Sequence, residues 1–179
     1  YILFIIDTSG SMRQQAWGLV VQKLREVLQV HPRVKGIQVV NDMGRYMFET
    51  FSGRWIPDTP ARRRAVIDRL KGWNSFSNSS PVEGIVAAIR GFYRKDRRIS
   101  LYVFGDDFTG QNITNVVEEV ARINALDEKG RPRVRIHAFG FPVLFKSAQH
   151  RANLERFAHL MRVLAERNAG SFVGLNALR

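Results

Sequence analysis

Short apolar runs alternate with longer stretches of helical periodicity along this chain. Tyr1–Ile6 is almost wholly apolar, the pattern of a strand buried on both faces. From Met12 to Val30 the period lengthens: Ala16, Leu19, Val20, Leu24, Val27 and Leu28 share one helical face, and Pro32 ends the run. Gly36–Asn41 and Arg45–Phe51 read as two strands joined by "DMG", a hairpin signal. Pro57 to Pro60 marks a loop, and Ala61–Leu70 a helix with Ala65, Val66 and Leu70 inward. Gly72–Ser80 is a polar loop. Pro81 then opens a helix to about Tyr93, with Ser80 as N-cap and Glu83 completing a capping box. Ile99–Phe104 is a second central strand, Asn112–Leu126 an amphipathic helix, and Val134–Phe139 another strand. Ala152–Arg167 is the last helix, Gly170 its C-cap, and Ser171–Leu175 a closing strand.

Strand–helix alternation with apolar strands predicts an α/β fold, a Rossmann-like three-layer sandwich with helices on both faces of a central sheet. The hairpin adds an expectation: a mostly parallel sheet carrying one antiparallel edge strand. Residues 1–179 are expected to form a single domain, and because residue 1 already falls inside a strand, a domain cut from a longer protein. Ligand sites in such sheets lie beyond the carboxyl ends of strands. Three loops qualify: after Ile6, around Ser77–Ser80, and after Phe104.

Composition narrows the chemistry. Apolar residues make up 45 % of the 179, as in globular chains, and no apolar run approaches membrane-helix length. There is no cysteine, so thiol nucleophiles, disulfides and thiolate metal sites are excluded. The formal net charge is +12, mostly from arginine. It reads either as a solvated surface or as a face for an acidic partner.

The candidate chemistry sits in "FIIDTSGSMR". Asp7, Ser9 and Ser11 alternate in what should be an extended loop, so their side chains can turn to one point. One carboxylate and two hydroxyls form a hard-oxygen set suited to Mg²⁺ or Mn²⁺. Asp106 and Asp107, at another strand end, offer more carboxylate; Ser77, Ser79 and Ser80 offer more hydroxyls.

"DTSGSM" resembles the Asp-x-Ser-x-Ser motif of the von Willebrand factor type A (VWA) domain family. The resemblance extends over almost the whole chain, through "LYVFGDD" and the closing "AERNAGSFVGL". It implies a metal-ion-dependent adhesion site in which Asp7, Ser9 and Ser11 form the first loop. By position Ser79 stands where the family usually has a Thr, with Ser77 as the alternative, and Asp106 is the third-loop carboxylate. Asp107 stands where the family usually has Gly. The implied cofactor is Mg²⁺, or Mn²⁺ or Ca²⁺ in its place. The implied partner is a protein supplying Asp or Glu to an open position on the cation, with neighbouring domains of the same chain as further partners. That role is recognition rather than bond breaking, so no enzyme activity is expected.

Rival chemistries have less support. The four His are scattered, with no metal-ligand spacing. "DTSGS" is not a Gly-x-Ser-x-Gly nucleophile elbow. A Mg²⁺-dependent phosphatase of the haloacid-dehalogenase type wants a second Asp two places after the first, where Ser9 stands, and a carboxylate past "GDD", where Gly110 and Gln111 stand. Nucleic-acid binding would draw on the basic clusters Arg62–Arg64, Arg94–Arg98 and Arg131–Arg135, but no aromatics interleave with them for base stacking. Trp73, Phe76 and Phe108, near the candidate loops, are either core or an apolar rim.

Overall fold

Apolar runs become strands wherever they are short and bounded by turn residues. The computed structural model describes residues 1–110, 112–143 and 148–175. Gln111 and the imidazole of His150, one of the four scattered His, lie outside the described residues. The chain runs β1 (Ile2–Ile6), a π-helical turn (Met12–Ala16) leading into α1 (Trp17–Val30), β2 (Ile37–Asn41), α2 (Pro60–Lys71), α3 (Pro81–Phe92), β3 (Ile99–Gly105), α4 (Ile113–Ile123), β4 (Val134–Gly140), α5 (Ala148–Arg167) and β5 (Phe172–Gly174). The five strands form one sheet in the order β2-β1-β3-β4-β5, and every pairing is parallel.

The helices divide between the two faces. Leu3, Ile5, Leu101 and Val103 pack with α3, α4 and α5. Ile2, Phe4, Ile6 and Phe104 pack with α1 and α2. With both faces covered, β1 and β2 are buried along their whole length, which is why their sequences are near-continuous apolar runs. Chain order and sheet order part company between β1 and β3, and at such a switch point the loops beyond the two strands splay apart and leave a crevice.

Register then decides which side chains meet. Ile6 pairs with Asn41 on one side and Phe104 on the other. Asp7, Asp42 and, one step past Gly105, Asp106 therefore emerge together at the carboxyl edge of three adjacent strands.

The antiparallel edge strand expected over Arg45–Phe51 is not there. The segment turns back along β2 and touches it at isolated antiparallel bridges, Val40 with Tyr46 and Ile37 with Ile56. Between those bridges it bows outward through a 3₁₀ turn at Glu49–Phe51. The buried Gln38 amide fills the gap, donating to the Phe51 and Arg54 carbonyls at 2.9 and 2.6 Å. Backbone bonds to β2 persist only near the bridges, among them those from Asn41 N–H to Arg45 O at 2.9 Å and from Met47 N–H to Val39 O at 3.0 Å, and the Gln38 side chain spans the gap where a continuous ladder was expected.

Two caps also differ in detail. Ser80 precedes α3 as expected, with Pro81 first in the helix, but its hydroxyl makes no capping hydrogen bond. At the end of α5, Ala169 takes the left-handed conformation (φ 51°), and the Gly170 N–H reaches back to Ala165 O at 2.9 Å. This is a Schellman-type ending with Gly170 one residue past the turn. Gly170 is needed for space instead: a Cβ there would collide with the Ile136 carbonyl.

Candidate metal centre

β1 ends by delivering Asp7 into the crevice, where it is 1 % exposed. The loop that follows is short and polar, so its side chains fold back over the strand end. The Ser9 N–H donates to Asp7 Oδ1 at 2.7 Å. Ser9 Oγ and Ser11 Oγ lie 3.1 Å apart, and Ser11 Oγ donates to Asp106 Oδ2 at 2.8 Å. Asp7, Ser9, Ser11 and Asp106 are thus brought together as one oxygen cluster. Asp107 is buried beside it, and its charge bears on Asp106.

The second loop contributes through Ser77. Its hydroxyl lies 3.2 Å from Asp7 Oδ1 and donates to Asp42 Oδ2 at 2.7 Å. Ser79 instead turns its backbone inward, its N–H donating to Ser77 Oγ at 3.1 Å, with the residue in the left-handed region at φ 53°. Of the two alternatives, it is the Ser77 hydroxyl that joins the acid cluster; no hydrogen bond of the Ser79 hydroxyl is present among the described residues. The loop is tied to the strand ends by Thr8 Oγ1 donating to Ser75 O at 3.0 Å and by Asn41 Nδ2 donating to Phe76 O at 2.8 Å. Trp73 and Phe108 are core, whereas Phe76 is 66 % exposed on the rim.

In the sequence Asp42 reads only as part of a turn, and the structure places it here. It is fully buried. Its N–H donates to Ile6 O at 3.1 Å, and its carbonyl accepts the Gly84 N–H at 2.7 Å. Gly84 permits that approach, since a Cβ there would stand 2.8 Å from Asp42 O. The signal was available: "LFIID", "VFGDD" and "IQVVND" are all apolar runs ending in a carboxylate.

Buried acids this close cannot all ionise cheaply. Burial, then the Asp106 carboxylate, pushes Asp7 up to about 7. Burial, then the charge of Asp7, pushes Asp42 up to about 6. Asp106 is raised as well, chiefly by burial and against the help of the Ser11 hydroxyl. Among the described residues, Asp7 Oδ2, Asp42 Oδ1 and Asp106 Oδ1 are buried with no hydrogen-bond partner, and such orphans call for a cation or a proton.

The oxygen spacing fits a small hard cation. Two ligands at right angles, each about 2.1 Å from Mg²⁺, stand about 3 Å from one another, and the contacts above run from 2.8 to 3.2 Å. The same spacings suit hydrogen bonds, which hold the cluster with or without an ion. Among the described residues no three acid or imidazole side chains converge tightly enough to hold a metal alone. Any ligand set would have to draw on other oxygens as well, and the serine hydroxyls are the nearest.

In fold, the chain matches a von Willebrand factor type A structure from Catenulispora acidiphila with a TM-score of 0.66 at 14 % identity. The fold is VWA-like. The match covers 98 % of this chain and 38 % of the other. No family sequence model matches this chain, and no curated protein matches it significantly in sequence.

Proposed function

We propose that this VWA-like chain is a divalent-metal-dependent protein-binding module. Asp7, Ser9, Ser11, Ser77 and Asp106 would hold the cation, with Mg²⁺ preferred by ligand type and Mn²⁺ or Ca²⁺ able to replace it. The supporting observation is the group of buried carboxylate oxygens left without partners among serine hydroxyls at the sheet's switch point. Bound there, the ion supplies an open ligand position for an Asp or Glu of a partner protein. The chain supplies the rest: strand ends fix the carboxylates, the Ser9 N–H orients Asp7, and exposed Phe76 offers apolar contact at the rim. The reading requires no bond-breaking step and assigns none.

Thermal unfolding in EDTA, Mg²⁺ and Mn²⁺ tests it, on the wild type and on Asp7→Ala. A bound ion stabilises by mass action, about 2.7 kcal/mol at a hundredfold excess over Kd. The expected result is a higher Tm with metal in the wild type and none in the variant. No rise at millimolar metal would overturn the proposal.

A further inference from the structure

We infer that Asp42 is a positioning residue of the metal centre, acting through the Ser77 hydroxyl. This inference rests on the metal-binding reading above. A hydroxyl has one proton and two lone pairs, and here all three can be assigned. The proton goes to Asp42 Oδ2, the shortest contact at 2.7 Å. One lone pair accepts the Ser79 N–H at 3.1 Å. The second remains, and the neighbouring oxygen on that side is Asp7 Oδ1 at 3.2 Å. With the proton committed to Asp42, two oxygens face each other with no hydrogen between them. That contact is repulsive unless a cation lies against both or Asp7 carries a proton to share. Asp42 therefore fixes the Ser77 proton away from Asp7 and leaves a lone pair for the ion.

Asp42 is built for this task. Its backbone is fastened to β1 through Ile6 O and to α3 through the Gly84 N–H, and its side chain is fully enclosed. It is fully buried, and its second oxygen, Oδ1, has no hydrogen bond of normal geometry. Among the described residues no ion pair neutralises this carboxylate, and beside a divalent ion its charge would be used. Asp42 also adds a buried carboxyl group to those of Asp7, Asp106 and Asp107, whose charge a bound divalent ion would offset.

Direct Mn²⁺ titration by calorimetry on the whole chain decides the matter, with Asp42→Ala, Asp42→Asn, Ser77→Ala and the double variant Asp42→Ala/Ser77→Ala. Residues behind a metal ligand typically change affinity about 10–100-fold. Asp42→Ala is expected to raise the Mn²⁺ Kd at least tenfold. Asp42→Asn, whose amide oxygen still accepts the Ser77 proton, is expected to recover most of that loss. In the Ser77→Ala background, removing Asp42 is expected to cost less than about threefold, because the group it acts through is gone. Melting in EDTA checks that each variant folds, and if Asp42→Ala does not, the Asn and Ser77 variants carry the comparison. An Asp42→Ala Kd within twofold of wild type overturns this inference alone. So does an Asp42→Asn loss equal to that of Ala, which would make Asp42 a source of charge only. A wild type that binds no Mn²⁺ overturns both this inference and the metal-binding proposal.

Discussion

Asp7 carries the conflict on which the site depends. It ends a fully buried strand, lies against Asp106 and Ser77, and keeps one oxygen without a partner. In the absence of metal, ionising it is unfavourable, and the fold bears that cost. Replacing it with Asn removes the charge at constant shape. Asp7→Asn is therefore expected to melt higher than wild type in EDTA at pH 8 and to lose the gain from Mn²⁺. Melting curves with and without metal read both effects at once. A variant less stable than wild type in EDTA would mean that the carboxylate is satisfied as it stands. The same residue explains what could be read in the sequence. Asp7, Ser9 and Ser11 are neighbours in the chain, so local geometry brings them together, though through a turn in which Ser11 is already helical (φ −60°, ψ −51°) and not through the extended loop expected. Ser77 and Asp42 reach the cluster only through sheet register and loop ties. An Asp before Met-Gly reads as turn chemistry until β2 is known to pair level with β1.

Among the elements, the strands and helices followed their periodicity closely, because both faces of the sheet are covered and burial enforces the pattern. The Arg45–Phe51 segment departs from a strand at its 3₁₀ turn, where the buried Gln38 side chain and not the β2 backbone meets the Phe51 carbonyl. A second polar tie holds the start of α2. Asp58 accepts from Arg63 Nε at 2.6 Å and from the Val34 N–H at 2.9 Å. Arg63 also donates to Leu28 O and His31 O at the end of α1. Arg63, one of the clustered arginines, is thus a bolt between helices. Its guanidinium holds the Asp58 carboxyl below its ordinary value. A carboxylate depressed in the fold stabilises above its unfolded pKa, about 3.9, and loses that contribution as the pH falls through the folded value. Asp58→Ala is expected to cost about 1–3 kcal/mol at pH 7, with the gap to wild type closing below about pH 4. Urea midpoints across that range check it; a gap independent of pH would assign the loss to packing.

At the scale of the whole molecule, a chain of net charge +12 keeps a buried acid cluster at one end of its sheet. The remaining question is whether the arginines tune that cluster. Arg98 and Arg133 precede β3 and β4, and Arg135 lies one residue into β4, all at the amino ends of the strands. The candidate centre lies at the carboxyl ends. β3 has seven residues, about 20 Å at roughly 3.3 Å per residue, and the Debye length at physiological salt is about 8 Å. More than two screening lengths separate the two ends. Arg133→Gln/Arg135→Gln is therefore expected to leave the Mn²⁺ Kd within about twofold, as for other distant sites. The same variant is expected to weaken any binding of a polyanion such as heparin, which should fall steeply with salt and ignore EDTA. Calorimetry with Mn²⁺ and salt-dependent retention on heparin measure the two independently. A tenfold change in Mn²⁺ affinity would show that charge at the amino ends of the strands reaches the site and sets its appetite for an acidic partner; unchanged affinity leaves that appetite to the groups at the carboxyl ends, Asp7, Asp42, Asp106 and Asp107 among them.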